Sequence, residues 1–241
     1  RFPAQHMAMA TFCNHSASGP DSLLRKVAAI YLGREMAADP DSAFRAVLAG
    51  AERADVAPAT LARLTGVWRN LDRGEVRRTV LVGDTLTFPP GTDAGRPTAL
   101  VPIGGLQFRA VPATRVSFEG DSAGAPTRLV VRSGTAAPIA FTRVATAELS
   151  AAKLTEYVGS YYSPEVDVTW LVRADSGKLV AMRHGRRIGA LTPTYRDGFV
   201  EGSSELDFTR DTKGRISGFR IEAGRVRHLD FKRVETPPPT R

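Results

Sequence analysis

The stretch "LARLTGVW", residues 61–68, returns as "LTEYVGSY" at residues 154–161, 93 positions further along the chain. Both copies keep the same skeleton: Leu61, Leu64, Gly66 and Trp68, then Leu154, Tyr157, Gly159 and Tyr161. Further landmarks follow in the same order. Thr79, Leu81 and Val82 match Thr169, Leu171 and Val172 at an offset of 90, while Pro102 and Phe108 match Pro193 and Phe199 at 91. Phe118, Asp121, Gly124, Phe141, Arg143 and Val144 match Phe208, Asp211, Gly214, Phe231, Arg233 and Val234 at 90. Landmarks kept in order with so little drift mark a duplicated unit.

Each copy consists of short β-rich runs, roughly one every ten residues, broken by Gly, Pro and Asp. This spacing predicts an antiparallel up-and-down barrel of about eight strands per copy. The expected fold is therefore mainly β, with two tandem barrels over residues 60–146 and 147–235 and a short tail at 236–241. Trp68 and Tyr161, each near the start of its copy, are expected to plug one barrel end. Ile139, Phe141 and Arg143 share one phase of the last strand, as do Leu229, Phe231 and Arg233. Both arginines thus point inward near a strand end. An inward salt bridge at the rim is the plain reading, and contact with a ligand anion the sharper one.

Upstream of the repeat the pattern differs. Gln5 to Phe12 reads as a short apolar strand, and Pro20-Asp21-Ser22 as the start of a helix with an apolar face of Leu23, Leu24, Val27, Ala28 and Tyr31. Gly33 is a natural stop for that helix. Residues 34–59 read as a linker with a weak helix over Ser42 to Arg53. The chain begins at Arg1, which suggests a piece processed or cut from something longer.

Composition narrows the function classes. The chain has 241 residues, 42% hydrophobic and 24% charged, which suits a globular protein with a sizeable core. No apolar run reaches the roughly 18 residues that a membrane-spanning helix needs, so no transmembrane segment is expected. The net charge of +8 comes from arginines spread along the chain, with no nucleic-acid motif among them. A solvated basic surface is expected, and no nucleic-acid partner. The only cysteine, Cys13, stands two residues from His15, but no further ligands follow at metal-site spacing. Neither a metal nor a cofactor is expected.

Two serine motifs have the spacing of catalytic nucleophiles. "GDSAG", residues 120–124, fits the Gly-x-Ser-x-Gly nucleophile pattern, which requires a strand turning into a helix. Ser122 has β-like flanks, and its counterpart in the second copy is "RDTKG", residues 210–214, an Asp-x-x-Gly turn. It reads as a hairpin turn. Ser150 and Lys153 form a Ser-x-x-Lys, with Tyr161, Tyr162 and Ser163 close behind, but no Lys-x-Gly or His-x-Gly occurs. No catalytic residue is assigned. The densest basic cluster is Arg183, His184, Gly185, Arg186 and Arg187, opposite Pro89 to Pro97 in the first copy. Both stretches read as loops, and Arg186 and Arg187 are candidates for receiving anionic substrates at a cleft.

Arg1-Phe2-Pro3 and Gln5, the apolar run to Cys13-Asn14 and the helix ending near Tyr31-Leu32 resemble the end of the catalytic domain in β-lactamase-like serine hydrolases. The two repeats are similar to the lipocalin-like barrels appended to some of these enzymes, as in the D-aminopeptidase arrangement. The resemblance implies that residues 1–33 are the terminal strand and helix of an α/β catalytic domain. That domain would be the main partner, cleaving amide or ester bonds, while the barrels scaffold it, shape substrate access or form a homodimer. Export to the periplasm or outside the cell is implied with it. The other reading is an independent binding protein that holds a small ligand in a barrel mouth.

Overall fold

A computed structural model describes residues 2–12, 20–36, 40–89, 96–110, 113–120, 125–202, 204–223 and 226–235. The N-terminal region holds two helices, α1 (Pro20–Leu32) and α2 (Pro40–Gly50). The expected strand over residues 5–12 does not form. A short 3-10 turn at Pro3–Gln5 and one bridge between Phe2 and Met7 take its place. An isolated apolar run has no sheet here to supply its hydrogen bonds. Helix α1 appears as expected and buries Ala28 and Leu32, yet Leu23, Val27, Ile30 and Tyr31 stay exposed. Cys13 and His15 lie outside the described residues.

Helix α3 (Pro58–Arg63) leads into the first barrel, whose strands are β1 (Gly66–Asn70), β2 (Glu75–Val82), β3 (Thr85–Phe88), β4 (Thr98–Ala99), β5 (Val101–Gly104), β6 (Gln107–Ala110), β7 (Thr114–Glu119), β8 (Arg128–Ser133) and β9 (Ile139–Val144). They form one nine-stranded antiparallel sheet in the order β4-β3-β2-β1-β9-β8-β7-β6-β5. Its two edges, β4 and β5, are consecutive in the chain and separated only by Leu100. The sheet is therefore nearly closed, and the covalent chain bridges its gap. Leu100 is 1% exposed, and its N–H donates to the carbonyl of Leu86 at 2.8 Å.

Helix α4 (Ala151–Leu154) precedes the second barrel: β10 (Gly159–Ser163), β11 (Val168–Asp175), β12 (Lys178–Arg183), β13 (Arg186–Pro193), β14 (Gly198–Glu201), β15 (Ser204–Arg210), β16 (Ile216–Ala223) and β17 (Val226–Val234). These eight strands close fully in chain order. The single strand β13 does the work that β4 and β5 share in the first barrel.

Strand register gives the repeat a physical scale. Gly66 pairs with Thr79 and Gly159 with Val172, so Thr79 corresponds to Val172, not to Thr169. The offset of 90 expected for that segment is corrected to 93. Pro102 opposite Phe108 and Pro193 opposite Phe199 occupy the same place, as expected. Phe118, Leu129 and Phe141 pair in sequence across three strands, and so do Phe208, Phe219 and Phe231.

Trp68 and Tyr161 are fully buried, one in each core. The Trp68 indole donates to Thr79 Oγ1 at 2.9 Å, and that hydroxyl donates to the carbonyl of Leu64 at 2.6 Å. Tyr161 reaches the equivalent carbonyl, that of Tyr157, directly at 2.7 Å. Arg143, half-buried, and Arg233, exposed, lie beside these aromatics at the barrel end, but the expected inward salt bridge is not their role. Arg143 donates to the carbonyls of Arg63, Thr65 and Pro126, and Arg233 to those of Glu156, Val158 and Ile216. Each guanidinium ties the segment leading into its barrel to the last strand. Gly66 and Gly159 make room for it: a Cβ there would lie 3.1 and 3.0 Å from the guanidinium.

Candidate functional site

In the first barrel the inward-facing positions run from a sealed end to an open one. Leu61, Leu64 and Trp68 close the first end, with Phe108, Phe118, Leu129 and Phe141 filling the middle. Period-two alternation then places Arg77, Phe88, Thr98, Ala110, Thr114, Val131 and Ser133 around the other end. These residues line a cleft of about 380 Å³. Val76, Arg78 and Pro89 of the first barrel, with Val200, Gly202 and Glu205 of the second, complete its lip.

The duplicated register explains why, among the described residues, the cleft opens at this end. Tyr161 pairs with Trp170, whereas Trp68 pairs with Arg77, so the second barrel has an indole where the first has a guanidinium. Phe219 likewise stands where the first barrel has Leu129. Trp170, Phe219 and Phe231 pack with centroid separations of 5.8, 5.7 and 4.7 Å and fill the second barrel. Arg77 lies 5.8 Å from the centroid of Phe141 and is half-exposed at the open end. Two aromatic rings are lost from these positions of the first barrel, and one, Phe88 in place of Ala181, is gained on the cleft wall.

The mouth is polar on one side. The hydroxyls of Thr114 and Ser133 lie 3.1 Å apart on neighbouring strands. Arg77 makes a loose 3.9 Å ion pair with Glu75. Arg78 is only partly exposed, burial lowers its pKa, and it has no hydrogen-bond or ion-pair partner among the described residues. Glu205 accepts a hydrogen bond from the Val76 N–H through Oε1, while its buried Oε2 has no partner among the described residues. Burial pushes the Glu205 carboxyl up to about 7, with Glu75 adding to the rise, against the opposing pull of the Val76 N–H, Arg77 and Arg69.

Glu205 also belongs to the seam between the barrels. Arg69 pairs with Asp207 and lies 4.4 Å over the Tyr195 ring, and Arg227 donates to the carbonyl of Arg73 at 2.6 Å. Val67, Val76 and Tyr195 form a small buried cluster between these charges. The lip of the mouth is thus built by both barrels.

The residues singled out from sequence fall elsewhere. Arg186 and Arg187 are in strand β13, not in a loop, because a two-residue turn at His184 and Gly185 (φ 49° and 73°) closes the hairpin. Arg187 pairs with Asp175 at 3.1 Å. Ser150 caps α4, its hydroxyl accepting the Lys153 N–H at 3.4 Å. Ser122 lies outside the described residues, but β7 and β8 on either side pair antiparallel from Glu119↔Arg128. The counterpart turn has Gly214 at φ 77°, with Asp211 Oδ1 accepting the N–H groups of Lys213 and Arg215 at 2.9 Å each. The mouth residues were missed. The one available signal was Arg77 at a core-phase position two residues before the aligned Thr79.

In comparisons with known proteins, no family model and no curated protein matches this chain. Among the described residues no group of three or more His, Cys, Asp or Glu is placed to hold a metal ion, and no helix is long and apolar enough to cross a membrane.

Proposed function

We propose that this chain is a non-catalytic barrel pair whose first barrel receives a small molecule at its mouth. The observation that carries this reading is the contrast between the two copies: Trp170 and Phe219 pack in the second barrel where Arg77 and Leu129 stand beside a cleft of about 380 Å³ in the first. A cleft of this size with apolar walls and a few polar groups has the make-up of a small-ligand site. The test is calorimetric titration with 1-octanol and octanoate. Uptake of one molecule per chain, lost in Ala110→Trp, is expected. Equal uptake by the Ala110→Trp protein, still folded by circular dichroism, would contradict it.

A second reading sets the barrels beside the catalytic domain of a β-lactamase-like serine hydrolase, as the sequence resemblance implies, with the mouth shaping substrate access. The exposed apolar face of α1, with Ile30 at 78% and Tyr31 at 72% exposure, supports it, since such a face suits packing against a further domain. An in-frame upstream region encoding a Ser-x-x-Lys nucleophile would agree with this reading. An upstream region of unrelated composition would sink it.

A further inference from the structure

We propose that the ligand of the first-barrel mouth is a monocarboxylate with a short apolar tail, its carboxylate held at Arg78 on the outer lip and its tail reaching past Arg77 to Phe88, Ala110 and Val131. This rests on the reading of the mouth as a small-ligand site. Three features of the mouth carry the chemistry. First, Arg78 is a partly buried cation lining the cleft without a counter-ion among the described residues. Such a group carries an uncompensated desolvation cost that an incoming anion relieves. A guanidinium fork also matches the two oxygens of a carboxylate in plane. Second, the Thr114 and Ser133 hydroxyls, 3.1 Å apart, line the same opening and can donate to an oxygen anion. Third, the remaining inner wall is apolar, with Phe88, Ala110 and Val131 continuing the core of the barrel.

The net charge at the mouth sets the valence. Glu75, 3.9 Å from Arg77, is also paired with Arg227 at 3.3 Å and with Arg73 at 3.9 Å, which leaves Glu205 as the carboxyl group on the lip that repels a second negative charge. Above about pH 7, where Glu205 is ionised, a dianion such as a phosphate monoester meets more repulsion there than a single carboxylate. Arg78 contributes the unspent charge and Arg77 a partly spent one.

The experiment is calorimetric titration of the chain with octanoate, 1-octanol and octyl phosphate at matched ionic strength, on the wild type, Arg78→Gln and Arg78→Lys. Octanoate is expected to bind about tenfold or more tightly than 1-octanol, the scale of one charge-assisted contact. Arg78→Gln should remove most of that preference and leave 1-octanol binding unchanged, with Arg78→Lys in between. Equal affinity for octanoate and 1-octanol in the wild type would overturn the carboxylate assignment while leaving the small-ligand reading intact. Tighter binding of octyl phosphate would overturn the monoanion assignment. An octanoate preference that survives Arg78→Gln would overturn the role of Arg78. No binding of any of the three would sink the small-ligand reading itself. The wild-type comparison needs no variant to fold.

Discussion

Thr79 and Val172 occupy the same position in two copies of one barrel, and the difference between them follows from the aromatic beside each. The Trp68 indole nitrogen cannot reach the carbonyl of Leu64 as the Tyr161 hydroxyl reaches that of Tyr157, so the Thr79 hydroxyl relays the contact. All of these groups are buried. Thr79→Val should therefore leave an indole N–H and a carbonyl without their partner at nearly constant volume. A loss of about 1–3 kcal/mol in urea unfolding is expected, with little change in the m-value. A loss below about 0.5 kcal/mol would mean that water or a neighbour takes over the bond. Arg143 and Arg233 follow similar logic, each spending one guanidinium on three carbonyls that a bare barrel end would leave unpaired.

At the scale of elements, what was legible in the sequence was what repeats locally. Period-two runs between turn residues disclosed the strands, and the Asp211 to Gly214 turn explained its β-flanked partner at Gly120. Helix α1 was legible from its apolar face, although Pro20, Asp21 and Ser22, expected to cap it, lie inside its first turn. The strand expected over Gln5 to Phe12 failed because an apolar run takes its partner from elsewhere in the chain, and here none is supplied. Arg186 and Arg187 looked like a loop because charge suggests solvent, yet a charged exposed strand has the same composition. The split of one strand into β4 and β5 at Leu100 had no local signal either. The mouth stayed hidden for a further reason. It depends on which side chains oppose one another across strands, and a three-residue error in offset aligned Arg77 with Asp167 when its true counterpart is Trp170.

On the scale of the whole molecule, the two barrels meet through charge as well as apolar contact, and one of those charges should titrate near neutrality. Glu205 faces the Val76 N–H, Glu75, Arg77 and Arg69, and shares a small cleft with Asp207, Arg220, Glu222 and His228. Its carboxyl is raised to about 7, above its unfolded value, so the native state holds a proton that the unfolded chain has already lost. The associated stability is full below the ordinary glutamate range and is lost as pH rises through about 7. Glu205→Gln, which keeps the acceptor for Val76, should make stability flatter between pH 5 and 8 by on the order of 2 kcal/mol. Parallel pH profiles for the two proteins would contradict this. The defining feature of the molecule is the asymmetry of its barrels: among the described residues, one is open at an end where its twin is filled. It is tested most directly by following backbone amide shifts as octanoate is titrated into isotopically labelled protein. Saturable shifts should cluster at Phe88, Ala110, Thr114, Val131 and Ser133, leaving Trp170, Phe219 and Phe231 unmoved. Shifts at those three aromatics, or no saturable shift at the first-barrel mouth, would contradict the account.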